Sequence, residues 1–401
     1  MDSLTSVAAL PQPVDAPPYG PGIYVHVPFC RNLCSYCDFY VVIGRPEARA
    51  SFVSDLQREM ALVVRDARFR EVRFQTLFFG GGTPSLLSGE EFAAVVADLR
   101  AHFDLDPQAE ISVEANPDSL DAEKLAAYRT AGVTRVSVGV QSTRQDELVR
   151  MERPHGPDDV RRAFEAMRAA GIPGTALDLI YGLPDSDSER FGETLRTALS
   201  FGPDHVSAYL LTLPEKSKLA RALRAGDGTL PTDENAAEQY ELLCRELPAA
   251  GLRQYEISNF ARPGFESRHN QNYWVGGDYL GLGPAAHSHQ AGRRWANPRS
   301  LHRWRQAVAG DTLAWCEEER IDQAGRAAEM IFLGLRRVLG IDLGELEPQL
   351  DEDARRRLRA RIEQLEREGL LLCAEGRLRL TPRAYLLSNW VMSELLLELD
   401  G

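Results

Sequence analysis

The sequence predicts an α/β fold, a partial (β/α)6 barrel joined to a small C-terminal α+β domain of winged-helix type. Three observations predict it. Short apolar runs alternate with amphipathic stretches from residue 22 to about residue 212, three of these runs carry one polar face, and the pattern changes from about residue 315.

The candidate strands are 22–28, 76–80, 110–116, 134–141, 174–182 and 204–212, and the helical stretches between them are 47–65, 89–102, 121–131, 157–171 and 187–200. Strand-then-helix units at this spacing imply a parallel sheet with right-handed crossovers. In 110–116, Glu110, Ser112, Glu114 and Asn116 share one face, with Ile111, Val113 and Ala115 on the other. In 134–141, Arg135, Ser137, Gly139 and Gln141 oppose Val136, Val138 and Val140, and in 22–28, Tyr24 and His26 oppose Ile23, Val25 and Val27. A parallel sheet covered on both faces reads as continuously apolar. A repeated polar face therefore points to a lumen, as in an open barrel. Glu114, Gln141 and Asp178 fall near the C-terminal ends of three strands, where α/β folds bind ligands. Singly, such residues also suit satisfied structural hydrogen bonding.

Residues 213–310 read as less regular. From 315 the sequence predicts a helix over 321–339, a second over 350–368, a hairpin over 370–380 turning at Glu375-Gly376, and a last helix started by Thr381-Pro382. The expected organisation is a disordered proline-rich lead (1–20), the barrel (21–240), a connecting or cap segment (241–314) and the winged-helix-like domain (315–401). Residues 311–401 hold 13 arginines, no lysine and 19 acids, which argues for a structural or interaction role rather than nucleic-acid binding.

Composition agrees. With 46 basic and 59 acidic residues, a net charge of −13 argues against phosphate-backbone binding. No apolar run approaches a membrane span, and the first 20 residues carry Asp2 and Asp15 but no lysine or arginine. The expected location is the cytoplasm, with peripheral membrane contact left open. Six cysteines are too few for a disulfide scaffold.

Three of the six form the array Cys30-x3-Cys34-x2-Cys37, directly after the first strand. Three thiolates on a short loop suit an iron–sulfur cluster, a zinc site completed by a distant histidine, or unligated thiols. A four-iron cubane on three cysteines leaves one iron for an exogenous ligand. Cys244, Cys316 and Cys373 are isolated and read as small buried hydrophobes.

Cys30, Cys34 and Cys37, with Tyr36 before the last cysteine, resemble the signature of the radical S-adenosylmethionine family. The resemblance implies a [4Fe-4S] cluster whose unique iron is chelated by S-adenosylmethionine, with reduction giving a 5′-deoxyadenosyl radical. Phe79-Gly80-Gly81-Gly82-Thr83-Pro84, at the end of the second strand, resembles the family's methionine-binding motif. By the same resemblance Tyr24, Tyr36, Gly81, Gly82, Thr83, Glu114, Gln141, Arg153 and Asp178 correspond to cofactor-contacting positions. Carboxylates suit a sulfonium, ribose hydroxyls and an ammonium, and arginine suits a carboxylate.

Ile23-Tyr24-Val25-His26-Val27-Pro28-Phe29-Cys30 and Leu177-Asp178-Leu179-Ile180-Tyr181-Gly182-Leu183-Pro184 resemble the tetrapyrrole branch. That branch comprises oxygen-independent coproporphyrinogen III oxidases and the related haem chaperones, and the likeness runs over roughly 21–395. The oxidase pattern has a fourth cysteine two positions after the third, where this chain has Phe39, and a substantial N-terminal extension, where this chain has 29 residues before Cys30. Both features match the chaperones. His269-Asn270-Gln271-Asn272-Tyr273-Trp274 is similar to the HNxxYW motif linked to haem binding there. The resemblance implies haem or another tetrapyrrole held by His269, Tyr273 and Trp274 and passed to haem-requiring respiratory proteins. His287 and His289 compete as ligands, and 276–288 alternatively belong to the cofactor cavity. The cluster is then left a role in dimerisation or transfer. The competing reading is the oxidase, a radical decarboxylation of propionates drawing electrons from a flavodoxin- or ferredoxin-type donor.

Overall fold

The computed structural model describes residues 19–44 and 46–399. The expected disordered lead therefore lies outside the described residues, apart from Tyr19 and Gly20. The Tyr19 hydroxyl donates to Gln271 Oε1 at 2.5 Å.

The six expected strands form as β1 (Gly22–Val27), β2 (Arg73–Gly81), β3 (Asp104–Ala115), β4 (Arg135–Gln141), β5 (Gly174–Tyr181) and β6 (His205–Leu210). All five pairings between neighbours are parallel. Six further strands complete the large sheet: β7 (Arg253–Glu256), β8 (Asn259–Ala261), β9 (Tyr279–Leu282), β10 (His287–Gln290), β11 (Arg293–Ala296) and β12 (Cys316–Arg320). Its order is β12-β11-β10-β9-β1-β2-β3-β4-β5-β6-β8-β7. The two ends are different strands that do not pair with each other, so the barrel is open, as expected. β9 joins β1 in parallel, while β10–β12 and β7–β8 extend the edges antiparallel.

The apolar faces of these strands meet the helices. Ile23, Val25 and Val27 are fully buried, as are Val113, Val136 and Val138. The helices have local causes. Ser88 and Glu91 close a capping box at the start of Gly89–His102. Pro157 occupies the first turn of Pro157–Ala169, which buries Val160, Ala163, Phe164 and Met167.

Residues 213–310 are more regular than expected. They hold the helices Lys218–Arg224, Asp233–Ala249, Arg268–Trp274 and Leu301–Ala309 besides β7–β11. These strands have three or four residues each, too short for a period to show. Cys316–Arg320 pairs with the large sheet, beyond the division expected at 315.

The C-terminal part has the expected helix, hairpin and helix. Ile341–Asp342, Leu371–Ala374 and Arg377–Leu380 form a three-stranded antiparallel sheet beside Gln323–Gly334, Glu352–Arg367 and Ser388–Leu396. Glu375 and Gly376 both have positive φ, the geometry of a tight two-residue hairpin turn. The last helix starts later than the Thr381-Pro382 pair predicts. Thr381 Oγ1 donates to Gly369 O at 2.8 Å instead of capping, and Pro382–Ala384 make only a short 3-10 turn. Two backbone bonds, Ile257 N–H to Arg336 O and Val338 N–H to Tyr255 O, each 3.0 Å, tie this part to β7 and the turn after it. Among the described residues no helix is long and apolar enough to cross a membrane.

Candidate functional site

The cysteine loop leaves the C-terminal end of β1. Phe29-Cys30 pairs with Val42-Ile43, closing the base of the loop. Ser35 holds its crown: its N–H donates to Met151 O at 3.2 Å, its hydroxyl to Arg150 O at 3.0 Å, and its carbonyl accepts from Leu219 N–H at 2.9 Å. Tyr36 packs on Leu148, Met151, Ile180 and Leu183. Cys30, Cys34 and Cys37 are free and partly buried, and burial pushes the thiols of Cys30 and Cys37 up, the latter to about 11. Among the described residues no three His, Cys, Asp or Glu side chains converge on a single ion position. Of the isolated cysteines, Cys244 packs against the core, whereas Cys373 is exposed rather than buried, since it faces outward from a hairpin strand.

The glycine turn at the end of β2 lies against this loop. Gly82 N–H donates to Val27 O and Thr83 N–H to Phe29 O, both at 2.8 Å. A Cβ on Gly82 would stand 2.6 Å from the Phe29 carbonyl oxygen, so only glycine permits the approach. Gly81 has φ +106°, outside the range of ordinary residues. Its N–H donates to Glu114 Oε2 at 3.2 Å, and Thr83 Oγ1 lies 3.5 Å from the Cys30 sulfur.

The polar strand faces meet inside the barrel. Glu114 is opposite Ser137, and Asp178 lies between Gly139 and Ser207. Ser137 Oγ donates to both Asp178 oxygens, at 3.2 and 3.3 Å. Burial raises the Glu114 carboxyl to about 8, with the charge of Asp178 adding to the shift. Burial also raises Asp178, against hydrogen bonds from Ser207 and Ser137. Gln141 has φ +65° at a register break between β4 and β5, a strained position of the kind that gathers at functional sites. Arg153 reaches across the mouth. Its Nη2 donates to Gly139 O at 2.5 Å and Asn116 Oδ1 at 2.9 Å, its Nη1 to the Cys34 sulfur at 3.6 Å, and its buried Nε has no partner. Tyr24 donates its hydroxyl to His26 Nδ1 at 3.1 Å, because His26 Nε2 gives its proton to the Tyr40 carbonyl.

Tyr24 and Tyr40 also line a cavity of about 690 Å3, with Phe39, Tyr273, Trp274, Tyr279, His287 and His289. The short helix Arg268–Trp274 forms one side of it, its N-terminus capped by Ser267. His269 does not face this space. It is 1% exposed, with Nδ1 on Thr76 Oγ1 at 2.7 Å and Nε2 on the Tyr273 hydroxyl at 2.8 Å. Phe78 stacks on its ring at 5.0 Å, and burial lowers its pKa to about 3. The ligand role that the motif implies for His269 finds no unoccupied ring nitrogen. Tyr273 and Trp274 do border the cavity.

The site contains residues that the sequence reading did not single out. His26, on the polar face of β1, links Tyr24 to the Tyr40 carbonyl. Ser207, opposite Asp178 and hydrogen-bonded to it, and Tyr209, two positions on in β6, continue the lumen, and the period-two alternation of 204–212 is the signal for them.

The Radical SAM superfamily profile matches residues 24–198, and the HemN C-terminal domain profile matches residues 321–387. The chain is 38% identical over 393 residues to "Heme chaperone HemW" of Mycobacterium tuberculosis, covering 96% of this chain and 98% of the relative. It is 33% identical to "Heme chaperone HemW" of Bacillus subtilis, covering 94% and 99%. The fold is that of coproporphyrinogen III oxidase (HemN) from Escherichia coli, described as a radical SAM enzyme, with TM-score 0.83 and 24% identity over 94% of this chain and 90% of that one. The chain belongs to the radical SAM superfamily, and within it to the family of the proteins named heme chaperone HemW.

Proposed function

We propose that this chain is a haem carrier on a radical SAM scaffold, working in the cytoplasm, that takes up haem and passes it to haem-requiring respiratory proteins. The observation that carries the reading is the full-length likeness to the HemW relatives. The aromatic-lined cavity beside the cysteine loop supports it, its volume and apolar rings suiting a macrocycle.

Cys30, Cys34 and Cys37 would hold the [4Fe-4S] cluster. The donor set fits, being three free thiols on one clamped loop with a guanidinium beside Cys34 and no fourth cysteine nearby in sequence. When bound, the cluster supplies one-electron chemistry and an iron open to an exogenous ligand. The lumen residues would bind S-adenosylmethionine. The glycine turn brings the backbone close to the cysteine loop, Glu114 and Asp178 suit the cofactor's cationic groups, and Arg153 braces the loop against β4.

The oxidase reading rests on a fold likeness at 24% identity and meets Phe39, 66% exposed, where that pattern has its fourth cysteine. Anaerobic turnover of coproporphyrinogen III by cluster-reconstituted protein, with S-adenosylmethionine, a reductant and an authentic oxidase as positive control, separates the two. We expect no decarboxylated product from protein that has its cluster and binds the cofactor. Product over many turnovers overturns the carrier reading.

A further inference from the structure

His287 and His289 stand two residues apart on β10, so both side chains leave the strand on one face, and both line the cavity. Their surroundings differ. His287 is exposed. His289 is only 8% exposed, and its Nδ1 meets two acceptors, the Gly277 carbonyl at 3.2 Å and the Asp278 carboxylate at 3.5 Å. Neither oxygen can donate, so Nδ1 carries a proton, and in the neutral ring Nε2 is then the nitrogen with the lone pair. Among the described residues Nε2 has no hydrogen-bond partner, and His289 lines this cavity as well as the adjoining one walled by Asp278 and Arg326. A histidine anchored through one nitrogen on a carbonyl or carboxylate, with the other nitrogen free, is the arrangement found in metal ligation. His269 lacks it, since both of its ring nitrogens are taken.

The rest of the wall suits an iron porphyrin. Trp274 and Tyr279 line it with aromatic rings. The indole nitrogen of Trp274 is buried without a partner, and Arg336 stacks on its ring at 4.7 Å, fixing its plane. Arg299 is exposed at the cavity and matches a propionate. The nearby acid Glu329 is already paired with Arg294 at 2.6 Å, which reduces its repulsion of propionates. Ala285 and Glu317, on the same wall, both hold φ near +60° (62° and 54°), the kind of backbone strain that collects at ligand clamps.

We propose that His289 Nε2 is the axial ligand of a haem seated in this cavity, with Asp278 orienting the ring and Arg299 receiving a propionate. The proposal deepens the haem-carrier reading and rests on it.

The test is a titration of the full-length chain with ferric haem, read by the Soret band and by affinity. For His289→Ala we expect the Soret band to move to that of haem without a histidine ligand and Kd to rise roughly tenfold or more, with added imidazole restoring the band. Asp278→Asn should keep the ligand but weaken binding by about tenfold and shift the haem reduction potential. His102→Ala, on a helix away from the cavity, serves as the control, and circular dichroism checks that each variant is folded. If His289→Ala matches wild type in band and affinity, or only another histidine moves the band, the proposal is overturned while the carrier reading stands. If the wild-type chain binds no haem, the carrier reading itself fails. Should His289→Ala not fold, His289→Gln with the same imidazole rescue gives the same decision.

Discussion

Thr83 joins the two halves of the candidate cofactor site: its hydroxyl lies 3.5 Å from the Cys30 sulfur while its N–H donates to the Phe29 carbonyl. The glycine turn and the cysteine loop are therefore one unit, and the closeness of Gly82 to Phe29 makes the contact possible. Gly82→Ala forces backbone apart at 2.6 Å. We expect a stability loss of about 1–3 kcal/mol and a lower iron and sulfide content per chain after reconstitution. Wild-type iron content together with an unchanged denaturation midpoint would contradict this coupling.

Cys34→Ala should abolish cluster reconstitution, because three thiolates are the only cysteine ligands in the loop. Iron and sulfide analysis, with the visible absorption of the reconstituted protein, reads it directly. Unchanged content removes Cys34 from the cluster.

The Glu114 carboxyl titrates near 8, raised first by burial and then by Asp178. It is mostly neutral below that pH and ionised above it. A cationic ligand pairs with the ionised form, so S-adenosylmethionine affinity should rise as pH goes from about 6.5 towards 8.5. Binding at lower pH should release a proton. Calorimetry in buffers of different ionisation enthalpy measures both effects, and Glu114→Gln should weaken binding and flatten the profile. Equal affinity across this range in the wild-type chain would separate Glu114 from the ligand.

His269 supports the fold by linking Thr76 on β2 to Tyr273 on the motif helix. His269→Ala removes two buried hydrogen bonds and leaves their partners unsatisfied, at a cost of about 2–4 kcal/mol. Its folded pKa, about 3, is depressed below the ordinary value of 6.5. The stability from the neutral ring is thus fully present above about 6.5 and is lost as pH falls towards 3. Urea midpoints measured across this window should fall less steeply in His269→Gln than in wild type. Parallel curves would show that another group carries the acid sensitivity.

The sequence made some parts of this site legible and hid others for physical reasons. Glu114 and Gln141 could be found because a strand of seven or more residues displays period-two alternation, and β3 and β4 are that long, whereas Asp178 is a lone acid in an apolar run and is marked by its place towards the end of β5. The cysteine array could be found because its ligands are local. His289 could not be distinguished from His287 or His269. Its defining partners are a backbone carbonyl and an aspartate brought to it by the turn before β9, while β10 has only four residues. His269 shows the converse. Its residue type and motif suggested a ligand, but the partners that occupy both ring nitrogens come from β2, 193 residues away, and from the next helical turn. The delayed start of the last helix has a similar origin, since Thr381 spends its hydroxyl on Gly369, a contact made by the folded hairpin.

The central claim is that this chain hands haem on, and transfer itself tests it most directly. The full-length chain loaded with ferric haem is mixed with a respiratory haem apoprotein while an excess of apomyoglobin traps any haem released to solution. The account predicts that holo-acceptor forms despite the trap, faster than from free haem, because haem passes within a complex. If the acceptor stays empty while apomyoglobin fills, or if the chain keeps its haem, the carrier account is contradicted.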